Sequence, residues 1–176
     1  MIVISSNYLN AKEKSLIRKY ANFVLNRMVR RGIQNKSKIV IKVMSPEEFD
    51  AELDKNDLVN YNAWCTYDGI EHDKKNFTVV VNVNSISKRS KKPLLKYRTV
   101  LIDIGHELVH VKQYLNGEIF DYKSGDVRFK GMKFDASHSD NEEKYFESPW
   151  EIEAYGREWG LYKMFCNKFK EDFKSK

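Results

Sequence analysis

Several things are scarce in this chain, and each scarcity removes a class of protein. No apolar run approaches the roughly 18 residues that a membrane-spanning helix needs, so no bilayer span is expected. The opening MIVISSNYLN has no basic stretch leading into a long apolar one, so it does not read as a secretory signal; its apolar residues suit a first strand better. There are 2 cysteines, Cys65 and Cys166, far apart and without the CxxC spacing of a thiolate zinc site. Two scattered cysteines point to reduced thiols and a cytoplasmic setting (a host cytoplasm if the gene is viral) rather than to a disulfide framework. There is no glycine-rich phosphate loop and no aromatic–basic repeat of the kind that reads nucleic acid. Histidine is also rare, at 4 in 176 residues, which matters for where two of them fall.

What remains is ordinary globular material: 41% hydrophobic and 13% aromatic residues, enough for one folded domain over 1–176 with a substantial core. The net charge of +6 is unevenly placed. Residues 86–100 hold Lys88, Arg89, Lys91, Lys92, Lys96 and Arg98 with no acid, whereas residues 139–158 hold seven acids against Lys144 and Arg157. The basic cluster reads as a solvated loop and helix start in preference to a nucleic-acid footprint, although it could steer an acidic partner.

Local signals set out an α+β order. Asn10 and Glu13 form a capping-box pair for a helix from Ala11 to about Arg31, with Gly32 as its stop. A strand is expected at Ile39–Val43. A short helix opens at Ser45 with Pro46 at its first position and Glu48 three residues after the cap. Residues 61–70 and 77–83 read as strands, joined by a hairpin turn between Ile70 and Asn76. Pro93 opens a helix to about Leu115, with Leu94, Tyr97, Leu101, Ile104, Leu108, Val111 and Leu115 as its core stripe and Gly117 as its end. Residues 118–147 form an ordered excursion with one short hairpin around Tyr122–Phe134. A last helix starts near Ser148, capped by Ser148 with Glu151 at its third position. Ile152, Tyr155, Trp159, Tyr162, Cys166 and Phe169 are its expected core face, and Gly156 and Gly160 could let helices approach closely.

The chemistry lies in His106-Glu107-Leu108-Val109-His110, an HExxH sequence inside that long helix and off its core stripe. The i,i+4 spacing sets two imidazoles side by side, within reach of one Zn2+ ion. Glu107 on the adjacent flank is placed to take a proton from a zinc-activated water and pass it to a leaving amine. A catalytic zinc site needs a third protein ligand. The pattern HExxHxxGxxH would supply a histidine, but Gln113 and Asn116 stand at its glycine and histidine positions. The candidates are therefore an acid of the last helix, Glu151, Glu153 or Glu158, or else His138. Glu151 and Glu153 are two apart and cannot share a helix face.

GHELVHVKQ followed by PWEIEAYGRE resembles the gluzincin side of the zincin metallopeptidases, and the His-x-x-x-His-x-x-Gln form resembles small phage and bacterial peptidase-like domains. The specific similarity covers about twenty residues, and the order of elements agrees with it. In several gluzincin branches the second helix reads Glu-x-x-Ala-Asp. The matching stretch here, Glu151-Ile152-Glu153-Ala154-Tyr155, implies Glu151 as the third ligand and leaves Glu153 unassigned. Tyr155 replaces the aspartate that would orient a zinc-bound histidine, so another residue must make that contact. The resemblance implies a zincin-like fold, in which a small twisted mixed sheet packs with the N-terminal, HExxH and glutamate helices. It also implies an edge strand beside the cleft, for which Tyr61–Ile70 is the best choice, and a donor for the developing oxyanion. His138 is preferred for that catalytic role over Tyr122, Tyr145 and Tyr155. The expected activity is peptide-bond hydrolysis by a monomer acting on a peptide or protein. The alternative is an inert zinc domain that binds a protein or nucleic-acid partner through residues 88–98.

Overall fold

The computed structural model describes residues 1–55, 62–68, 76–86, 91–135 and 142–173. Its main sheet has four strands: β1 (Ile2–Ser5), β2 (Lys38–Met44), β3 (Ala63–Asp68) and β4 (Asn76–Asn82). They lie in the order β1-β2-β4-β3; β1, β2 and β4 run parallel, and β3 pairs antiparallel with β4 and forms one edge. β4 shows why its centre, Val79–Val81, is an unbroken apolar run. Phe77, Val79 and Val81 face the main core, and Val80 on the other side packs with Phe49 and Trp64. A strand covered on both faces needs no polar alternation.

The main core lies between this sheet and the helices α1 (Ala11–Met28), α5 (Arg98–Leu115) and α7 (Pro149–Phe169). Asn10 and Glu13 make the expected reciprocal cap on α1. Ser45 and Glu48 do the same for α3 (Pro46–Lys55): the Glu48 amide donates to Ser45 Oγ at 3.1 Å and the Ser45 amide to Glu48 Oε2 at 3.2 Å. Together these elements form a mixed α+β fold in which a twisted four-stranded sheet carries the HExxH helix, a minimal zincin-like architecture. Among the described residues, no helix is long and apolar enough to cross a membrane.

Several boundaries differ from the sequence expectation. α1 ends at Met28, because Val29 turns extended and buries its side chain, and Gly32 falls inside a separate short helix, α2 (Arg31–Gln34). The helix opened by Pro93 is not continuous. A one-turn α4 (Pro93–Lys96) breaks at Tyr97 (φ −97°, ψ 12°) before α5 begins, which lets the Tyr97 ring enter the core.

The excursion holds a second sheet rather than one hairpin: β5 (Ile119–Asp121), β6 (Val127–Phe129) and β7 (Met132–Phe134), all antiparallel. Lys130 and Gly131 link β6 to β7 with φ of 47° and 91°, as a two-residue primed turn requires. A short helix, α6 (Glu142–Glu147), then leads into α7. Ile119 and Phe129 pack on Trp150, so this small sheet grips the first turn of α7.

The face of α7 is the largest departure. Of the expected face, Ile152, Tyr155 and Trp159 are exposed, whereas Tyr162 is buried and Cys166 and Phe169 pack on the core; the other buried positions are Trp150, Glu151, Ala154, Leu161 and Phe165. Gly156 and Gly160 face open space, so they mediate no close helix contact. Ser148 does not cap α7 with its side chain; its hydroxyl donates to the Lys144 carbonyl at 2.9 Å. Glu151 is thereby left for other work.

Candidate metal centre

α5 is held from two sides. Its apolar stripe of Leu101, Ile104, Leu108 and Val111 is buried in the main core. α1 approaches so closely that a Cβ on Gly105 would lie 2.5 Å from Tyr20 Oη. A glycine therefore directly precedes His106 because no side chain fits between the two helices. The flank carrying His106, His110 and Gln113 is not open to solvent either, since α7 lies across it. His106, Glu107 and Gln113 are all buried.

Glu151 completes the group from α7. The two imidazole Nε2 atoms face each other at 3.2 Å. Glu151 Oε2 lies 3.2 Å from His106 Nε2, and Oε1 lies 3.3 Å from His110 Nε2. One ligand atom from each residue falls within 4.8 Å of the others, the spacing of a group able to hold a metal ion. The rear of each ring is fixed. His106 Nδ1 donates to Glu158 Oε2 at 2.9 Å, and His110 Nδ1 donates to Gln113 Oε1 at 3.0 Å. Gln113 has no rotational choice, because its Nε2 donates to the Trp150 carbonyl at 3.0 Å and so leaves Oε1 as the acceptor. With Nδ1 committed behind, each ring directs Nε2 at the centre.

The electrostatics fit a cation. Burial alone would disfavour a charged His106, but the Glu151 and Glu158 carboxylates beside it push it up to about 10. His110 also moves upward, burial being outweighed by Glu151 and Glu107. For Glu151 burial would raise the carboxyl, but the two histidines hold it down at about 2. Positive charge is therefore favoured between these three residues, where a bound cation would supply it. Glu151 Oε2 is buried without an aligned hydrogen-bond donor, an orphan acceptor aimed into the cluster. The donor set, two imidazole nitrogens and a carboxylate, is that of a His2Glu zinc site. Glu107 is nearly enclosed, and burial raises its carboxyl against the pull of His110 and His106.

The cluster opens on a cleft of about 270 Å³. Ala63–Thr66 of the edge strand β3 form one wall, and Tyr114, Asp121, Tyr145 and Trp150 form much of the other. Asp121 is pinned by the hydroxyls of Tyr67 at 2.7 Å and Tyr114 at 2.9 Å.

Of the site residues expected from sequence, His106, Glu107, His110 and Glu151 come together. His138 lies outside the described residues. Tyr145 reaches the cleft, Tyr122 meets Phe120 edge-to-face at 5.0 Å, and the Tyr155 ring sits edge-on to His106 at 4.4 Å. Glu153 is occupied elsewhere: Lys112 at 2.7 Å, Lys130 at 3.0 Å and Arg157 at 2.9 Å surround it. Burial would raise its carboxyl, but Lys112 and Lys130 hold it at about 2. The orienting role of Glu158 was missed, although a signal existed. It stands seven residues after Glu151, two turns along the same helix face.

His106-Glu107-x-x-His110 with the distal Glu151 matches an HExxH-type zincin metal-binding site. Compared with known proteins, the chain matches no family model, no curated protein and no solved structure.

Proposed function

We propose that this protein is a zinc-dependent metallopeptidase. The observation that carries the reading is the convergence of His106, His110 and Glu151 beside a buried Glu107, at the head of a cleft walled by an edge strand. His106, His110 and Glu151 would hold the ion, with Glu158 and Gln113 keeping both rings in the tautomer that presents Nε2. A zinc ion so held supplies a Lewis acid that polarises a carbonyl and makes water acidic near neutral pH.

The chain's own residues supply the rest. Glu107 accepts the proton of the attacking water on its carboxylate and returns it to the departing amine nitrogen. Its burial raises its proton affinity toward the range such a shuttle needs. The outer edge of β3 offers backbone groups to an extended peptide, which would lie along Ala63–Thr66 with its carbonyl toward Glu107. Among the described residues, Tyr145 lines the cleft and its phenol would serve as a donor to the developing oxyanion. Cys65 and Cys166 are unpaired thiols, which suits action in the cytoplasm.

The test couples metal analysis to cleavage of an unbiased peptide library. One zinc per chain and measurable cleavage are expected, with Glu107→Gln keeping the metal while kcat falls by about 10²–10⁴-fold. Full hydrolysis by Glu107→Gln would remove Glu107 from the mechanism, and zinc binding without cleavage of any library member would remove the peptidase.

A further inference from the structure

A second concavity of about 570 Å³ lies between α4 and α7. Its floor is apolar: Leu94, Leu95, Trp159, Tyr162 and Cys166. Leu95 and Trp159 share it at 49% and 43% exposure. Its rim is cationic, with Lys92, Arg98, Lys163 and Lys170, and none of the described lining residues is acidic. Arg98 lies 4.6 Å and Lys163 5.5 Å from the Trp159 ring centre, so cation–π contacts hold the indole in place. Tyr162 donates to the Leu94 carbonyl at 2.9 Å and ties the two walls together. A preformed apolar floor ringed by one sign of charge is a built recognition surface.

We infer that this groove binds an acidic, amphipathic segment of a partner protein, with apolar side chains on the Leu95–Trp159 floor and carboxylates on the lysine and arginine rim. Charge complementarity selects an acidic occupant. The floor selects a protein over a nucleic acid: it holds one exposed indole beside aliphatic Leu94 and Leu95, not the succession of aromatic faces on which bases stack. Concavity argues against a bilayer surface, which would call for a projecting apolar face. Trp159 stands eight residues beyond Glu151 on α7, about 12 Å along the helix axis. If the peptidase reading holds, the occupant belongs to the substrate protein and anchors it away from the scissile bond. The groove itself does not depend on that reading.

The test uses the full chain and a fluorescein-labelled twelve-residue peptide of alternating glutamate and leucine or phenylalanine. Anisotropy is measured with and without a zinc chelator, so binding is read independently of catalysis. Saturable binding that survives the chelator is expected. Trp159→Ala and the pair Arg98→Glu with Lys163→Glu should each weaken it by about 30-fold or more. These positions are exposed, and circular dichroism checks that each variant folds. Equal binding of a peptide with glutamine in place of glutamate would overturn the proposal, as would unchanged affinity in both variants. Tighter binding of a single-stranded oligonucleotide, or sedimentation with phosphatidylserine vesicles, would reassign the groove to those ligands and overturn it as well.

Discussion

Glu158 offers the sharpest test of how the site is built. Its Oε2 accepts from His106 Nδ1 at 2.9 Å, in the orienting role that the resemblance would give to position 155. Removing such a contact costs about 10–100-fold in metal affinity, or about 1.4–2.7 kcal/mol. The loss should appear in stability as well as in a chelator titration. At zinc a thousandfold above the wild-type Kd, binding adds about 4.1 kcal/mol; for a hundredfold weaker site at the same zinc it adds about 1.4 kcal/mol. For a domain of this size that corresponds to a zinc-induced rise in Tm of about 8–16 °C shrinking to about 3–6 °C in Glu158→Ala. Glu158→Gln, which keeps an acceptor oxygen but not the charge, should fall between. Tyr155→Phe keeps the ring against His106 and should change affinity by less than about twofold. Competition against a fluorescent zinc chelator, with thermal melts at fixed zinc, reads all four proteins. Wild-type affinity in Glu158→Ala would refute the orienting role, and a large loss confined to Tyr155→Phe would move that role to the position expected from sequence.

Glu151→Ala should bind zinc too weakly to survive dialysis, whereas Glu153→Ala should keep one ion per chain; elemental analysis giving the reverse would exchange their roles. Gly105→Ala forces a methyl against Tyr20 Oη, and Phe165 packs on that ring at 5.1 Å, so a cost of about 1–3 kcal/mol is expected in urea melts. Adding Tyr20→Phe should recover most of it, because the hydroxyl makes no hydrogen bond; an unaffected Gly105→Ala would show that α1 has room to withdraw. Lys112→Met removes the buried cation shared by Glu118 and Glu153, which its Nζ binds at 2.6 and 2.7 Å. Lys130 and Arg157 still reach Glu153, so the loss should be about 1–3 kcal/mol rather than the roughly 3–5 kcal/mol of a lone buried pair. Zinc affinity should stay unchanged, and a parallel loss of metal would make Lys112 part of the centre's support.

The residues that were readable in advance are those where two independent signals coincide. His106 and His110 share a motif and also avoid the apolar stripe of α5, while Asn10 with Glu13 and Ser45 with Glu48 each pair a cap with its reciprocal carboxylate. β3 and β4 declared themselves by composition, but the edge position of β3 comes from β2 pairing with β4, a long-range choice that no local pattern carries. Glu118–Phe134 looked unpatterned because its strands are three residues long, too short for alternation to register. The error on α7 has a different origin. The expected face of Ile152, Tyr155, Trp159, Tyr162, Cys166 and Phe169 holds in its second half, where Tyr162 is buried and Cys166 and Phe169 pack on the core. In the first half the inward positions are Glu151, Ala154 and the half-buried Glu158. That series keeps helical spacing too, with two acids in it. A helix that supplies a carboxylate to bind an ion and another to steady a histidine must place both on its buried side, where a reading by hydropathy discards them. The same demand turns Tyr155 and Trp159 outward: Tyr155 comes to lie against His106, and Trp159 forms the groove floor. In the first half of α7 the site takes two inward positions, and from Leu161 onward the core takes them.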